Sequence, residues 1–280
     1  MLARAREFLA KKDVPDARLE AELLVAHALG LDRLHLCLAL DRPIDDTELA
    51  RGREFLVRRS KREPTAYILG AREFYGRRFA VSAAVLIPRP ETELVVDHAR
   101  AFAHALATPP KVGDFGTGSG CLATTLALEL AGASVWAVDV SPAALAVARA
   151  NAERLGANVT FLEGDAPSAL GAAAGGKLDV LVSNPPYVGR DERDALAAEV
   201  RDHEPELALF APEGDPDHWL RRLVGDAREL VAPGGALFVE LGHRQSAAAL
   251  ALSRAAGLDA RVHPDLARIP RVLEARVPRG

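Results

Sequence analysis

From residue 111 onward, short apolar runs alternate with helical patterns, and this alternation constrains the fold more than any other feature of the chain. Strands are expected at 112–115, 134–139, 159–162, 178–183 and 235–241, with two final candidates at 260–263 and 271–277. Helices are expected at 119–131, 142–155, 168–174, 217–231 and 245–256. The strand runs are mostly apolar, as strands covered on both faces are. Repetition of this kind implies an α/β fold of Rossmann-like type, with a doubly wound parallel sheet and helices on both faces. Ligands of such sheets bind outside the carboxyl ends of the strands, so the residues that end each strand carry the functional information.

The run at 178–183 ends in Asn184-Pro185-Pro186-Tyr187. Two consecutive prolines cannot continue a hydrogen-bonded ladder, so the strand stops there. Asn184, which precedes a proline, is pushed toward an extended backbone. The loop therefore offers two acceptors, the Asn184 side-chain oxygen and the following backbone carbonyl, with the ring of Tyr187 beside them. Two acceptors and a flat ring suit a planar –NH2 group. The lone pair of an amide or aromatic amine is delocalised, so its nitrogen attacks poorly unless it is aimed. Fixed oxygen dipoles aim it, and they stabilise the positive charge that develops as the nitrogen gains a methyl group.

The first strand runs into Asp114-Phe115-Gly116-Thr117-Gly118-Ser119-Gly120, with a helix following. Glycines there allow a sharp bend and the close approach of a ligand. Read as a dinucleotide fingerprint, the register from Gly116 fails at Cys121 and the register from Gly118 passes weakly with Ala123. Asp139 ends the second strand, where a carboxylate can accept both hydroxyls of a ribose. That serves a nicotinamide dinucleotide or S-adenosylmethionine equally. Asp165 ends the third strand, within reach of an adenine amino group or as a turn residue. The Asn-Pro-Pro-Tyr loop separates the two cofactors, because hydride transfer has no use for it and methyl transfer to an amino group does.

Residues 1–62 read as helices only, with Gly30 as a helix stop and Asp45-Asp46-Thr47 as a helix start. The expected helical segments include 34–40 and one beginning after Thr47. Residues 51–62 carry six basic side chains against the single acid Glu54. That is a solvated helix face or a docking face for an acidic or RNA-associated partner. Residues 63–89 place aromatic and β-branched side chains around Gly70 and Gly76, the pattern of a short hairpin. The expected domains are a helical docking domain at 1–65, a hairpin linker at 66–89 and a catalytic domain at 90–280. A helix is expected from Pro90 to about residue 107, with Glu91 and Glu93 complementing its dipole.

The net charge of −4 gives no global drive toward nucleic acid. Cys37 and Cys121 lie in apolar helical context and are expected to be buried thiols, as suits a reducing cytoplasm. No stretch reads as a membrane span or a secretion signal, and the histidines show no metal spacing.

These features resemble the family of release-factor glutamine N5-methyltransferases over nearly the whole chain. The matching stretches are Tyr67-Ile68-Leu69-Gly70, Arg72-Glu73-Phe74-Tyr75-Gly76, Ile87-Pro88-Arg89-Pro90-Glu91-Thr92-Glu93, Gly116 to Gly120, Asp139 with Ser141-Pro142, and Ser183 to Tyr187. Glu199-Val200-Arg201 and Glu204-Pro205 also match. The resemblance implies an S-adenosylmethionine-dependent methyltransferase domain behind a small N-terminal helical domain. It implies a substrate glutamine in the Gly-Gly-Gln loop of peptide chain release factors, with no direct nucleic-acid or membrane partner. It places Gly116, Thr117, Gly118, Ser119, Gly120, Asp139, Asp165, Ala166 and Asn184 at the cofactor, and Asn184, Pro185, Pro186 and Tyr187 at the glutamine and the chemistry. Ala166 departs from the large or aromatic residue common there, and the segments 210–215 and 265–270 also depart. Rival readings are a nucleic-acid amino-methyltransferase and a binding module without catalysis. The first would want a strongly basic target domain, and residues 1–85 carry only 16 basic against 13 acidic side chains.

Overall fold

The computed structural model describes residues 1–39 and 41–279, with the backbone alone at Glu213. Leu40, within the expected helical pattern at 34–40, and Gly280, the end of the expected catalytic domain, lie outside the described residues. The chain divides into two compact units: Met1–Arg72 with Leu196–His203, and Glu73–Ala195 with the chain from Glu204 onward.

The first unit contains α1 (Leu2–Ala10), α2 (Ala17–Ala28), α3 (Arg33–Leu38), α4 (Asp46–Ser60) and α5 (Thr65–Leu69). Asp45 caps α4, accepting from the Glu48 N–H while the Glu48 carboxylate takes the Asp45 N–H. Leu9, Leu24 and Ala28 are fully buried in its core. Arg59, only 4% exposed, pairs with Glu20 at 2.9 Å and with Glu199 at 3.1 Å. Glu199 also takes Arg62 at 3.2 Å, which fastens the segment Leu196–His203 to this unit. Arg58 pairs with Glu63, and Arg51 donates to the Ala28 carbonyl. Four of the six basic residues in 51–62 are therefore engaged within the unit. Cys37 is exposed rather than buried, because α3 is too short to bury more than Leu36.

A hairpin of β1 (Ala71–Phe74) and β2 (Arg77–Ala80) leads into the second unit, which begins at Glu73, and turns at Tyr75 and Gly76, both at positive φ. Phe74 and Phe79 are fully buried and meet edge to face at 5.9 Å, inside this unit's core. A 3₁₀ turn at Pro90–Thr92 leads into α6 (Glu93–Ala103), which stops short of residue 107. Then follow β3 (Lys111–Phe115), α7 (Cys121–Glu129), β4 (Ser134–Asp139), α8 (Pro142–Leu155), β5 (Thr160–Glu163), α9 (Ser168–Ala173) and β6 (Leu178–Ser183). Two short helices, α10 (Ala198–His203, of the first unit) and α11 (Glu206–Leu209), precede α12 (His218–Leu230). The chain closes with β7 (Val231–Glu240), α13 (Ser246–Ala255), β8 (Asp259–Pro264) and β9 (Pro270–Arg276).

The seven strands β3–β9 form one sheet in the order β5-β4-β3-β6-β7-β9-β8. Five strands run parallel as expected, but β9 is antiparallel to both β7 and β8. The sheet is therefore mixed at one edge. The short β8–β9 connection explains this, since a parallel neighbour needs a long crossover. The chain winds outward from β3 through β4 to β5, then crosses to β6 on the other side of β3. The switch point lies between β3 and β6, where a ligand crevice forms. Fully buried Val112, Leu181, Val182, Leu237 and Phe238 make the sheet the centre of the core.

Candidate active site

Register brings the expected residues level with one another. Phe115 stands opposite Val138 in β4 and opposite Ser183 in β6, so the three strands end together. The buried Ser183 hydroxyl donates to the Phe115 carbonyl at 2.8 Å and locks β6 to β3 at that edge. Just beyond, Gly116 N and Thr117 N both donate to the Val138 carbonyl, at 2.9 and 3.1 Å. The loop turns through positive φ at Gly116, Gly118 and Gly120, which side chains rarely adopt. A Cβ at Gly116 or Gly118 would meet no protein atom within 4 Å, so the loop leaves open space for a ligand. Gly120 differs, since a Cβ there would lie 3.0 Å from the Ala148 Cβ. It serves the packing of α7 against α8.

Asp139 faces this loop. Its Oδ2 accepts the Gly118 N–H at 2.8 Å and its Oδ1 the Ser141 N–H at 2.9 Å. Each oxygen retains a lone pair for a ligand hydroxyl. Beneath the loop lies Asp114, fully buried, accepting from the Thr117 hydroxyl at 2.6 Å and the Ala123 N–H at 3.2 Å. Burial raises its carboxyl to about 7. Sequence reasoning did not single out Asp114, although an acid inside a buried strand is itself a signal.

Across the switch point, Asn184 is half-buried, and its Nδ2 donates to the Thr92 hydroxyl at 3.1 Å. Its Oδ1 has no hydrogen-bond partner among the described residues. Thr92 donates in turn to Glu240 at 2.5 Å, and the Tyr187 hydroxyl donates to the other Glu240 oxygen at 3.3 Å. Thr92 and Glu240 were missed, the first because it reads as a helix start. The second reads simply as the end of an apolar strand. Burial raises Glu240 to about 6 and, with the Glu240 charge, pushes the Tyr187 phenol well up.

A cavity of about 540 Å³ joins these parts. It is lined by Gly116, Thr117, Gly118, Ser119, Asp139, Asp165, Asn184 and Pro186, together with Thr92, Leu207, Phe210 and Trp219. Its size suits a cofactor-sized ligand, since such pockets run to about 300–1,000 Å³. Of the expected site residues, Gly120, Ala166, Pro185 and Tyr187 do not line it. Pro185 is buried, and the Tyr187 ring lies against Gly242, where a Cβ would come within 3.0 Å of it. The backbone of Val188 bridges to Leu209 and Ala211, which brings Phe210 and Leu207 to the cavity wall.

Fold and site together define a methyltransferase: residues 93–203 match the family model of the methyltransferase small domain, and residues 1–70 match that of the PrmC N-terminal domain. The release factor glutamine methyltransferase of Geobacter sulfurreducens is 44% identical over 97% of this chain and 94% of its own length. That of Chlorobaculum tepidum is 48% identical over 86% of this chain and 83% of its own length. That of Koribacter versatilis is 43% identical over 98% and 96%. The chain belongs to the release factor glutamine methyltransferase family. Among the described residues, no helix is long and apolar enough to cross a membrane.

Proposed function

We propose that this chain, in the cytoplasm, transfers a methyl group from S-adenosylmethionine to the side-chain amide nitrogen (N5) of the glutamine in the Gly-Gly-Gln loop of peptide chain release factors. One observation carries the reading: the Asn184 amide is anchored through Nδ2 to Thr92, its Oδ1 has no hydrogen-bond partner among the described residues, and it lines the same cavity as Asp139 and the glycine loop. Family membership supports the choice of substrate.

The residues present fit the methyl donor. Open space before Gly116 and Gly118 would admit its amino-acid portion and sulfur, and Asp139, on the same cavity wall, would hold its ribose hydroxyls. Asp165, which lines the same cavity, would hold its adenine amino group. When bound, S-adenosylmethionine supplies a methyl group on a sulfonium, which departs as a neutral thioether and requires no acid. The protein has to aim the amide nitrogen. Asn184 Oδ1 accepts one of its N–H bonds, and Pro186 lies alongside on the cavity wall. Holding nitrogen and methyl carbon about 3–3.5 Å apart and in line converts a rare encounter into a bound geometry. The same oxygen stabilises the cationic nitrogen as it forms. Its proton becomes acidic only after attack, so no strong base is assigned.

Incubation with methyl-labelled S-adenosylmethionine and a release factor tests the reading. Label is expected on the factor carrying Gly-Gly-Gln and not on one whose glutamine is replaced by alanine. Equal labelling of both would reject the assigned substrate.

A further inference from the structure

We propose that Thr92 and Glu240 form a hydrogen-bond relay that sets which end of the Asn184 amide faces the substrate, making both positioning residues for the transfer. This deepens the reading of Asn184 given above and rests on it.

An amide side chain has a donor end and an acceptor end of nearly the same shape. Only the acceptor end can hold a substrate N–H, so the site needs something that forbids the flipped form. The relay supplies it. Thr92 is 2% exposed and Glu240 is 3% exposed, so neither can trade its partner for bulk water. A threonine hydroxyl has one proton, and an ionised carboxylate only accepts. Glu240 takes that proton across 2.5 Å, which leaves Thr92 Oγ1 as an acceptor toward Asn184. At 3.1 Å, only the Nδ2 end of Asn184 can satisfy it. Oδ1 is therefore turned to the opposite side, toward the cavity. The Tyr187 hydroxyl occupies the second Glu240 oxygen at 3.3 Å, which leaves the carboxylate little freedom to rotate.

The arrangement also predicts how it fails. A protonated Glu240 can donate to Thr92, which frees the threonine proton for Asn184 and favours the flipped amide. Burial holds Glu240 up at about 6, so this state is reached on mild acidification. The other charged groups that face Glu240 are Glu91 on the 3₁₀ turn, which raises it, and Arg271 on β9, which lowers it. The Cys121 thiol on α7 also feels the Glu240 charge but stays protonated, burial pushing it up to about 12.

The test compares the intact protein with Thr92→Val, Thr92→Ser and Glu240→Gln. It measures kcat on a release factor from pH 5.5 to 8 and, by calorimetry, the Kd for S-adenosylmethionine. Thr92→Val keeps the shape but removes the relay, and its kcat is expected to fall by about tenfold to a hundredfold, as misplacement of a reacting group does. Its cofactor Kd should stay within about twofold, which also reports an intact fold. Thr92→Ser restores the hydroxyl and should recover most of the loss. Glu240→Gln should lower kcat and erase the acid limb near pH 6. Wild-type kcat in Thr92→Val, or no recovery in Thr92→Ser, would overturn the relay while leaving the proposed function standing. An intact protein that binds S-adenosylmethionine but methylates no release factor would overturn the functional reading and the relay with it.

Discussion

Asp139 and Gly118 are joined by a hydrogen bond of 2.8 Å from the glycine N–H to the carboxylate, so the acid proposed to meet the cofactor also holds the glycine loop. On the proposed reading, Asp139→Ala removes a ligand contact and loosens the glycine loop at once. Charge-assisted hydrogen bonds are each worth about 1.5–3 kcal/mol. The Kd for S-adenosylmethionine should rise by about a hundredfold or more, read by calorimetry. An unchanged Kd would remove Asp139 from the site.

Gly118 and Gly120 should fail in different ways. Gly118→Ala meets open space, so its stability cost is the φ strain of about 1–2 kcal/mol. The added methyl group fills the cradle, and cofactor binding should be lost from a protein that still unfolds cooperatively. Gly120→Ala presses on Ala148, including its backbone at 3.2 Å, and overpacking adds about 1–3 kcal/mol to similar strain. Urea denaturation and cofactor titration of the two variants separate the effects.

Glu274 gives a pH prediction remote from the site. Burial raises its carboxyl, but hydrogen bonds from Arg261, His263 and Arg276 outweigh this and hold it down at about 2. A depressed carboxylate stabilises the fold above its unfolded value and loses that contribution as pH falls through the folded value. From the usual carboxylate value of 4.5 to about 2, the contribution is about 3 kcal/mol at neutral pH. Glu274→Gln should be less stable than the parent by about 2–3 kcal/mol at pH 7, and by much less near pH 3. A stability difference that does not change with pH would contradict the assignment.

Much of this was legible because the strand runs and their end residues are local features. Asn184, Asp139 and the glycine loop stand out as strand-ending residues, and parallel register places strand ends together. The antiparallel β9 was not legible, because an apolar strand run carries no direction. The hairpin was marked by Gly76, but its period does not show that Phe74 and Phe79 fill a core. Thr92 and Glu240 were hidden for another reason. They are separated by 148 residues, and each has an ordinary local explanation. Only the pairing of β7 beside β6 brings Glu240 close behind Asn184.

In the proposed reaction, Asn184 aims a glutamine amide nitrogen at the methyl donor. The most direct measurement is tandem mass spectrometry of a release factor after reaction with the intact protein and with Asn184→Ala, run in parallel. Loss of one fixed dipole at a reacting centre costs about 10²–10³ in rate. The intact protein should place one methyl group on the side-chain nitrogen of the Gly-Gly-Gln glutamine. Asn184→Ala should leave that site almost unmodified at equal times, although it still binds S-adenosylmethionine. Methylation at another residue, or equal modification by the two proteins, would contradict the claim.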